Sequence, residues 1–254
     1  MSRAAIIVGA SSGLGRGLAE VMAGDGWRLG LAARREEKLR ELAASLSVES
    51  VVRRMDVAEA ESARRTLDEM IEALGGVDLV VISAGVGYAH PTWEQERHTV
   101  EVNVLGFTAL AARAMDYFLE RGSGHLAGIT SISGLRGLGV AGAYSASKAY
   151  MSRYLEAMRV RADVRGLDVA VTDIMPGFVD TPMTEGRTDI FWVADLEVAA
   201  RQMYEAIRKR KRQVYITRRW RLMGWLMKAI PYGMLVRMAS RGRPRERAAR
   251  AEEP

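Results

Sequence analysis

Seven short apolar runs, at 4–8, 28–33, 50–55, 78–83, 125–130, 169–174 and 213–216, punctuate this chain. Between them lie stretches whose apolar residues recur at helical spacing, at 35–46, 59–74, 95–121, 144–165 and 195–210. No other feature constrains the fold as tightly. Runs this short and this continuously apolar suit strands buried on both faces, and their alternation with helices suits parallel pairing. The expected fold class is α/β: a doubly wound, mostly parallel sheet with helices on both faces, Rossmann-like, in a single domain. A chain of 254 residues is long enough to bury such a core.

Ligands of such sheets bind beyond the carboxyl ends of the strands, near the point where strand order reverses. Gly9, Arg34, Asp56, Ala84, Ser131 and Pro176 all fall at or just after predicted strand ends, so one edge should gather one site. The first of these opens the run Gly9-Ala10-Ser11-Ser12-Gly13-Leu14-Gly15, which sits between the first strand and a helical pattern carrying Leu18, Val21 and Met22. A glycine-rich turn there lets the backbone approach a pyrophosphate at a helix N-terminus, where free amides and the helix dipole favour negative charge. The spacing is Gly-x-x-x-Gly-x-Gly, not the commoner Gly-x-Gly-x-x-Gly. At the end of the second strand, Ala33-Arg34-Arg35 lacks the acid that would take the ribose hydroxyls of NAD. Arg34 offers a forked donor to a 2′-phosphate, so NADP(H) is expected over NAD(H). The plainer reading is that Arg34 and Arg35 open an exposed helix, continued by Glu36 and Glu37.

Tyr144 and Lys148 lie one helical turn apart and share a helix face, thirteen residues after Ser131. A free phenol titrates near 10, and bringing it to about 7 takes roughly 4 kcal/mol. A neighbouring ammonium is expected to supply that, leaving Ser131 to hold a carbonyl oxygen while the phenol exchanges its proton.

These motifs, in this order from about residue 3 to about residue 217, resemble the short-chain dehydrogenase/reductase family. The resemblance implies a cofactor site built from Gly9, Ser11, Ser12, Gly13, Leu14, Gly15 and Arg34, with Asp56 and Val57 at the adenine. Ala84 and Gly85 would complete it, with Tyr144 and Lys148, and with Pro176, Gly177, Val179 and Thr181 near the nicotinamide carboxamide. It implies a catalytic set of Asn103, Ser131, Tyr144 and Lys148, with Asn103 anchoring a water chain and Lys148 holding the ribose. Val8 stands where the family has threonine, and Ile82-Ser83 where it has two asparagines. Ser131, Ser133, Tyr144, Phe191 and Trp192 are the expected substrate contacts. The implied activity is reduction of a ketone or aldehyde, or the reverse, on an apolar or lipid-like substrate. A cofactor-binding sensor or scaffold with the same fold is the alternative, although such proteins usually lose the tyrosine or lysine first. Homodimers or homotetramers are implied through helices near 104–121 and 144–165, where Ala109, Ala111, Ala112, Ala114 and Met115 would permit close approach.

Composition narrows the rest. Without cysteine there are no disulfides or thiolate metal sites, and His90, His98 and His125 show no ligand spacing, so no metal is expected. Met1-Ser2-Arg3 leads straight into the first strand, so no signal peptide is expected and the location is read as cytoplasmic. The net charge of +6 is uneven, because residues 208–254 hold 15 Lys/Arg against 3 Asp/Glu. The chain divides into a catalytic domain at 1–217, an amphipathic apolar–basic segment at 218–240 and a disordered tail at 241–254. Trp220 to Ile230 reads as a helix with Arg221, Gly224 and Lys228 on one narrow stripe, ended by Pro231. It is too short to span a bilayer, which takes about 20 apolar residues. An anionic membrane surface at the inner face, a second subunit and the pocket mouth are its open partners. Nucleic acid is not expected, because no reading module accompanies the basic residues.

Overall fold

Each apolar run becomes a strand in the computed structural model, which describes residues 3–137, 139–187 and 190–241. They are β1 (Ala4–Val8), β2 (Arg28–Ala33), β3 (Ser50–Arg54), β4 (Leu79–Ile82), β5 (Ser123–Ile129), β6 (Asp168–Pro176) and β7 (Gln213–Ile216). All pair in parallel, in the order β3-β2-β1-β4-β5-β6-β7. The order reverses between β1 and β4, which places the crevice between the loops that follow those two strands.

The helices form two layers. On one face α1 (Gly13–Gly24), α2 (Glu36–Ser45) and α7 (Leu196–Arg208) bury Leu18, Met22, Leu39, Leu42, Met203 and Ile207 with Ala5 and Ile7 of β1. On the other, α3 (Ala60–Ala73), α5 (Phe107–Arg121) and α6 (Gly142–Asp163) bury Leu67, Phe107, Met115, Phe118, Met151 and Leu155 with Ala4, Ile6 and Val8. The two sets from β1 alternate because successive side chains of a strand leave opposite faces. Fully buried faces on both sides explain why the strands read as unbroken apolar runs.

The stretch at 95–121 is not one helix. It divides into α4 (Trp93–Val100), a π-helical turn at Glu101–Gly106, and α5. Thr92 starts α4 with a capping box: its hydroxyl accepts from the Gln95 amide at 3.4 Å, and the Gln95 side chain accepts from the Thr92 amide at 3.0 Å. Gly106 shows what the wider turn accommodates, since a Cβ there would stand 2.0 Å from the Val57 carbonyl oxygen. The interface expected on α5 also needs correcting. Ala111, Ala114 and Met115 face the chain's own core, leaving only Ala109 and Ala112 half-exposed.

Beyond β7 come α8 (Trp220–Ala229) and α9 (Tyr232–Arg241), separated at Pro231 as the sequence predicts. Trp220 does not flank a basic stripe at the surface. It is 1% exposed, its ring covers the Gly177 backbone, and it packs against Phe178, Phe191 and Trp192 at centroid distances of 5.3 to 5.6 Å. Most of the tail expected at 241–254, from residue 242 on, lies outside the described residues.

One buried histidine ties β5 to β6. Thr172 donates its only hydroxyl proton to the Lys211 carbonyl at 2.6 Å, so His125 Nε2, 2.8 Å from the same oxygen, must carry a proton and donate it. Burial, followed by the charge of Arg210, pulls the imidazole from its usual 6.5 down to about 4. The unfolded chain then binds a proton that the native state refuses between these values, so stability falls as pH drops from about 6.5 to about 4. The loss should reach on the order of 3 kcal/mol. Thermal unfolding across pH 4–7 should show this step in the wild type and a shallower one in His125→Gln. Identical slopes would refute it.

Candidate active site

The first loop of the site is built by close backbone contact. Gly9, at φ +91°, ends β1, and a Cβ there would lie 2.5 Å from the Ala84 amide nitrogen. Only a glycine lets the loops after β1 and β4 touch in this way. α1 then starts at Gly13 with no side-chain cap and no acid in its first turn. Its leading amides and positive dipole end suit a bound phosphate. The Ser12 hydroxyl is drawn elsewhere: Arg35 donates to it at 2.8 Å and to the Ser11 hydroxyl at 3.2 Å.

A cavity of about 760 Å³ runs along the carboxyl ends of β1 to β6. Gly9, Ser11, Ser12, Gly13, Leu14, Arg34, Asp56, Val57, Ala84 and Gly85 line one part, and Ser131, Ser133, Tyr144, Lys148, Pro176, Gly177, Val179 and Thr181 line the remainder. Gly15 lies behind the loop, where a Cβ would meet the Gly9 carbonyl at 2.3 Å. Asp56 closes its own turn, accepting from the Ala58 amide at 3.0 Å, and Thr181 lies over Gly13, 3.4 Å from where a Cβ would stand. An uncapped helix start, an arginine-lined end and a cavity of this length fit a nicotinamide dinucleotide.

Ser131 and Tyr144 line the same cavity, near enough for the serine to act on the phenol. Burial pushes the Tyr144 phenol above its usual value, opposed by the Ser131 hydrogen bond and by the charge of Arg187. This corrects the expectation that Lys148 depresses it. The ammonium stands 5.7 Å from the centroid of the Tyr144 ring and donates to the Ile129 carbonyl at 3.0 Å. Burial lowers Lys148 to about 8, against the pull of Asp173. That carboxylate, 2% exposed, accepts from Thr130 at 2.6 Å, Ser152 at 2.5 Å and Gln213 at 3.0 Å.

Asn103 sits in the π-helical turn, fully buried and outside the cavity lining. Its Oδ1 accepts from the Val86 amide at 2.9 Å, and its Nδ2 donates to the Val86 carbonyl at 2.7 Å and to Ser147 at 3.0 Å. Both amide protons are therefore used in clamping the loop after β4 to α6. Phe191 and Trp192, expected at the substrate, also lie outside the lining and pack on Trp220. In their place the cavity is walled by Phe178, Met183 and Arg187, and Arg187 stands 5.5 Å from the Phe178 ring centroid. Arg35 and Arg187 were the two site cations missing from the expected set. The first was signalled by its place beside Arg34; the second follows from the path of the 181–187 loop, which no motif marks.

Among the described residues there is no cluster of side chains able to hold a metal ion, and no helix is long and apolar enough to cross a membrane.

Comparison with known proteins agrees with this geometry. The short chain dehydrogenase family model matches residues 3–190. An uncharacterised oxidoreductase of Myxococcus xanthus is 42% identical over 191 residues, which cover 72% of this chain and 74% of its own. An uncharacterised oxidoreductase of Mycobacterium tuberculosis is 34% identical over 215 residues, covering 80% and 84%. Among solved structures, the alcohol dehydrogenase of the archaeon Thermococcus sibiricus complexed with 5-hydroxy-NADP is similar at TM-score 0.75 and 25% identity, over 85% of this chain and 96% of that one. The family match spans the strand-end motifs from Gly9 to Thr181, and with the Myxococcus relative it leads to one conclusion: this chain belongs to the short-chain dehydrogenase family and is an oxidoreductase.

Proposed function

We propose that this protein is an NADPH-dependent carbonyl reductase, reversible as an alcohol dehydrogenase, acting on an apolar or lipid-like ketone or aldehyde. The observation that carries the reading is that Ser131, Tyr144 and Lys148 line one wall of a cavity shared with the glycine loop. Bound NADPH would supply the hydride that the carbonyl carbon accepts. Ser131 and Tyr144 would hold the carbonyl oxygen between their hydroxyls, and Tyr144 would give it a proton. Burial favours this direction, because it keeps the phenol protonated until it is used. Lys148, charged below about 8, would offset the phenolate left behind. Asn103 would act by fixing Val86 and Ser147 around these groups.

NADP(H) over NAD(H) is supported by Ala33 in place of an acid, by Arg34 in the cavity wall and by Arg35 across Ser11 and Ser12. The NADP analogue carried by the archaeal relative points the same way. Phe178, Met183, Val86 and Val140 on the cavity wall support an apolar substrate. A homodimer or homotetramer is supported by the exposed apolar residues Leu105 in the π-helical turn before α5, Val160 on α6 and Val164 just after it. The same reading gives residues 218–240 an anionic membrane surface as partner, on the cytoplasmic side.

Tyr144→Phe should cut NADPH oxidation with a ketone by about 100-fold or more while NADPH still binds. Activity within a few-fold of wild type would reject the mechanism. Arg35→Ala should lower kcat/KM for NADPH by roughly 10- to 100-fold, the worth of one or two charge-assisted hydrogen bonds, and leave that for NADH nearly unchanged. Equal losses with both cofactors would show that Arg35 only supports the loop.

A further inference from the structure

We infer that the outer face of α8–α9 docks on an anionic lipid surface and thereby sets the mouth of the active-site cavity beside the bilayer. This rests on the reading of an apolar carbonyl substrate, and it assigns how that substrate arrives.

The face is large and apolar. Leu222 is 77% exposed, Trp225 74% and Tyr232 76%, with Leu226, Met234 and Val236 exposed beside them. A patch of this kind on a folded protein marks an interaction site. On α8 it does not come from a detached helix, because the inner side of α8 is anchored by Trp220 and Ile230, both buried, and by Gly224 against Tyr215 and Leu135.

Charge selects the occupant. Residues 217–241 hold Arg218, Arg219, Arg221, Lys228, Arg237 and Arg241 and no Asp or Glu. A second copy of this chain meeting the face across a two-fold axis would set the same cations against each other. Residues 242–254 contain no Leu, Ile, Val, Met or aromatic residue to lay over it. A bilayer with anionic headgroups offers acyl chains to Trp225 and its neighbours and negative charge to the arginines. Two helices of 10 residues each lie on such a surface and do not cross it.

α8 is also tied to both flanks of the cavity. Arg219 donates to the Trp192 carbonyl at 2.6 Å, and Trp192 and Phe191 pack on Trp220, which holds the segment after β6. Arg136, just past the Ile132–Leu135 turn that follows Ser131, donates to the Ile230 carbonyl at 3.2 Å. A docked α8 therefore lies between the two segments that border the substrate end, and a ketone dissolved in the membrane reaches it without crossing bulk water.

The test uses the full chain with vesicles of phosphatidylglycerol and phosphatidylcholine, or of phosphatidylcholine alone. Wild-type protein should sediment with the anionic vesicles, less so as salt rises, and only weakly with the neutral ones. Leu222→Ser/Trp225→Ser and Arg221→Glu/Lys228→Glu should each weaken binding roughly ten-fold or more. Both should keep the wild-type mass in solution and the wild-type rate on cyclohexanone, while losing turnover of 2-tridecanone held in anionic vesicles. No sedimentation of the wild type, equal sedimentation with neutral vesicles, or loss of the oligomer in the variants would overturn the inference. Absence of cyclohexanone reduction by the wild type, with vesicle binding intact, would instead count against the carbonyl reductase reading and leave the docking face standing.

Discussion

A lysine ammonium held inside the sheet–helix interface is the constraint around which the carboxyl edge of this protein is arranged. Taking a cation out of water costs on the order of several kcal/mol unless it finds partners. Lys148, 4% exposed, finds the Ile129 carbonyl at the very end of β5. That single contact requires α6 to lie against the end of β5, and it thereby brings Tyr144, one turn earlier, over Ser131, two residues past Ile129. The counter-charge comes from β6, where Asp173 is fixed by Thr130, Ser152 and Gln213. The four side chains link β5, α6, β6 and β7, so the charge at the site and the stacking of the sheet are held by the same network. Burial, opposed by the charge of Asp173, leaves Lys148 at about 8; without Asp173 it would go lower.

The π-helical turn at Glu101–Gly106 serves the same arrangement from the other side. It swings Asn103 beneath the loop after β4, where the amide is spent on Val86 and Ser147. Ser147 precedes Lys148 on α6, so the clamp and the ammonium act on adjacent residues. Widened helical turns recur at functional sites because they re-aim a side chain that a regular helix would point elsewhere.

Much of this was legible in the sequence, for a physical reason. Parallel strands covered on both faces must be apolar throughout, so their positions stand out, and topology then carries Gly9, Asp56, Ala84, Ser131 and Pro176 to one edge whatever the details of packing. What was not legible depends on contacts between distant residues. The stretch 95–121 keeps a helical period throughout, and Gly106 in its widened turn passes close to the Val57 carbonyl, far away in sequence. Ala111, Ala114 and Met115 look suited to a subunit contact, yet small residues suit a helix packed on its own sheet equally well. The rise of the Tyr144 phenol was hidden for a similar reason: helical spacing shows that Lys148 is near, but not that burial outweighs it. Phe191 and Trp192 turn away from the cavity because Trp220 offers them a partner.

That partner has a consequence for the site. Of the four rings in the cluster of Phe178, Phe191, Trp192 and Trp220, Phe178 alone also lines the cavity. One edge of its ring meets Trp220, and Arg187 stands over it. Arg187 in turn is the cation whose charge opposes the rise of the Tyr144 phenol. Contacts thus run from α8 through Trp220 and Phe178 to Arg187, whose charge reaches Tyr144. Phe178 therefore faces the cavity on one side and the anchor of α8 on the other, so the shape of that cavity wall and the seating of α8 depend on the same ring.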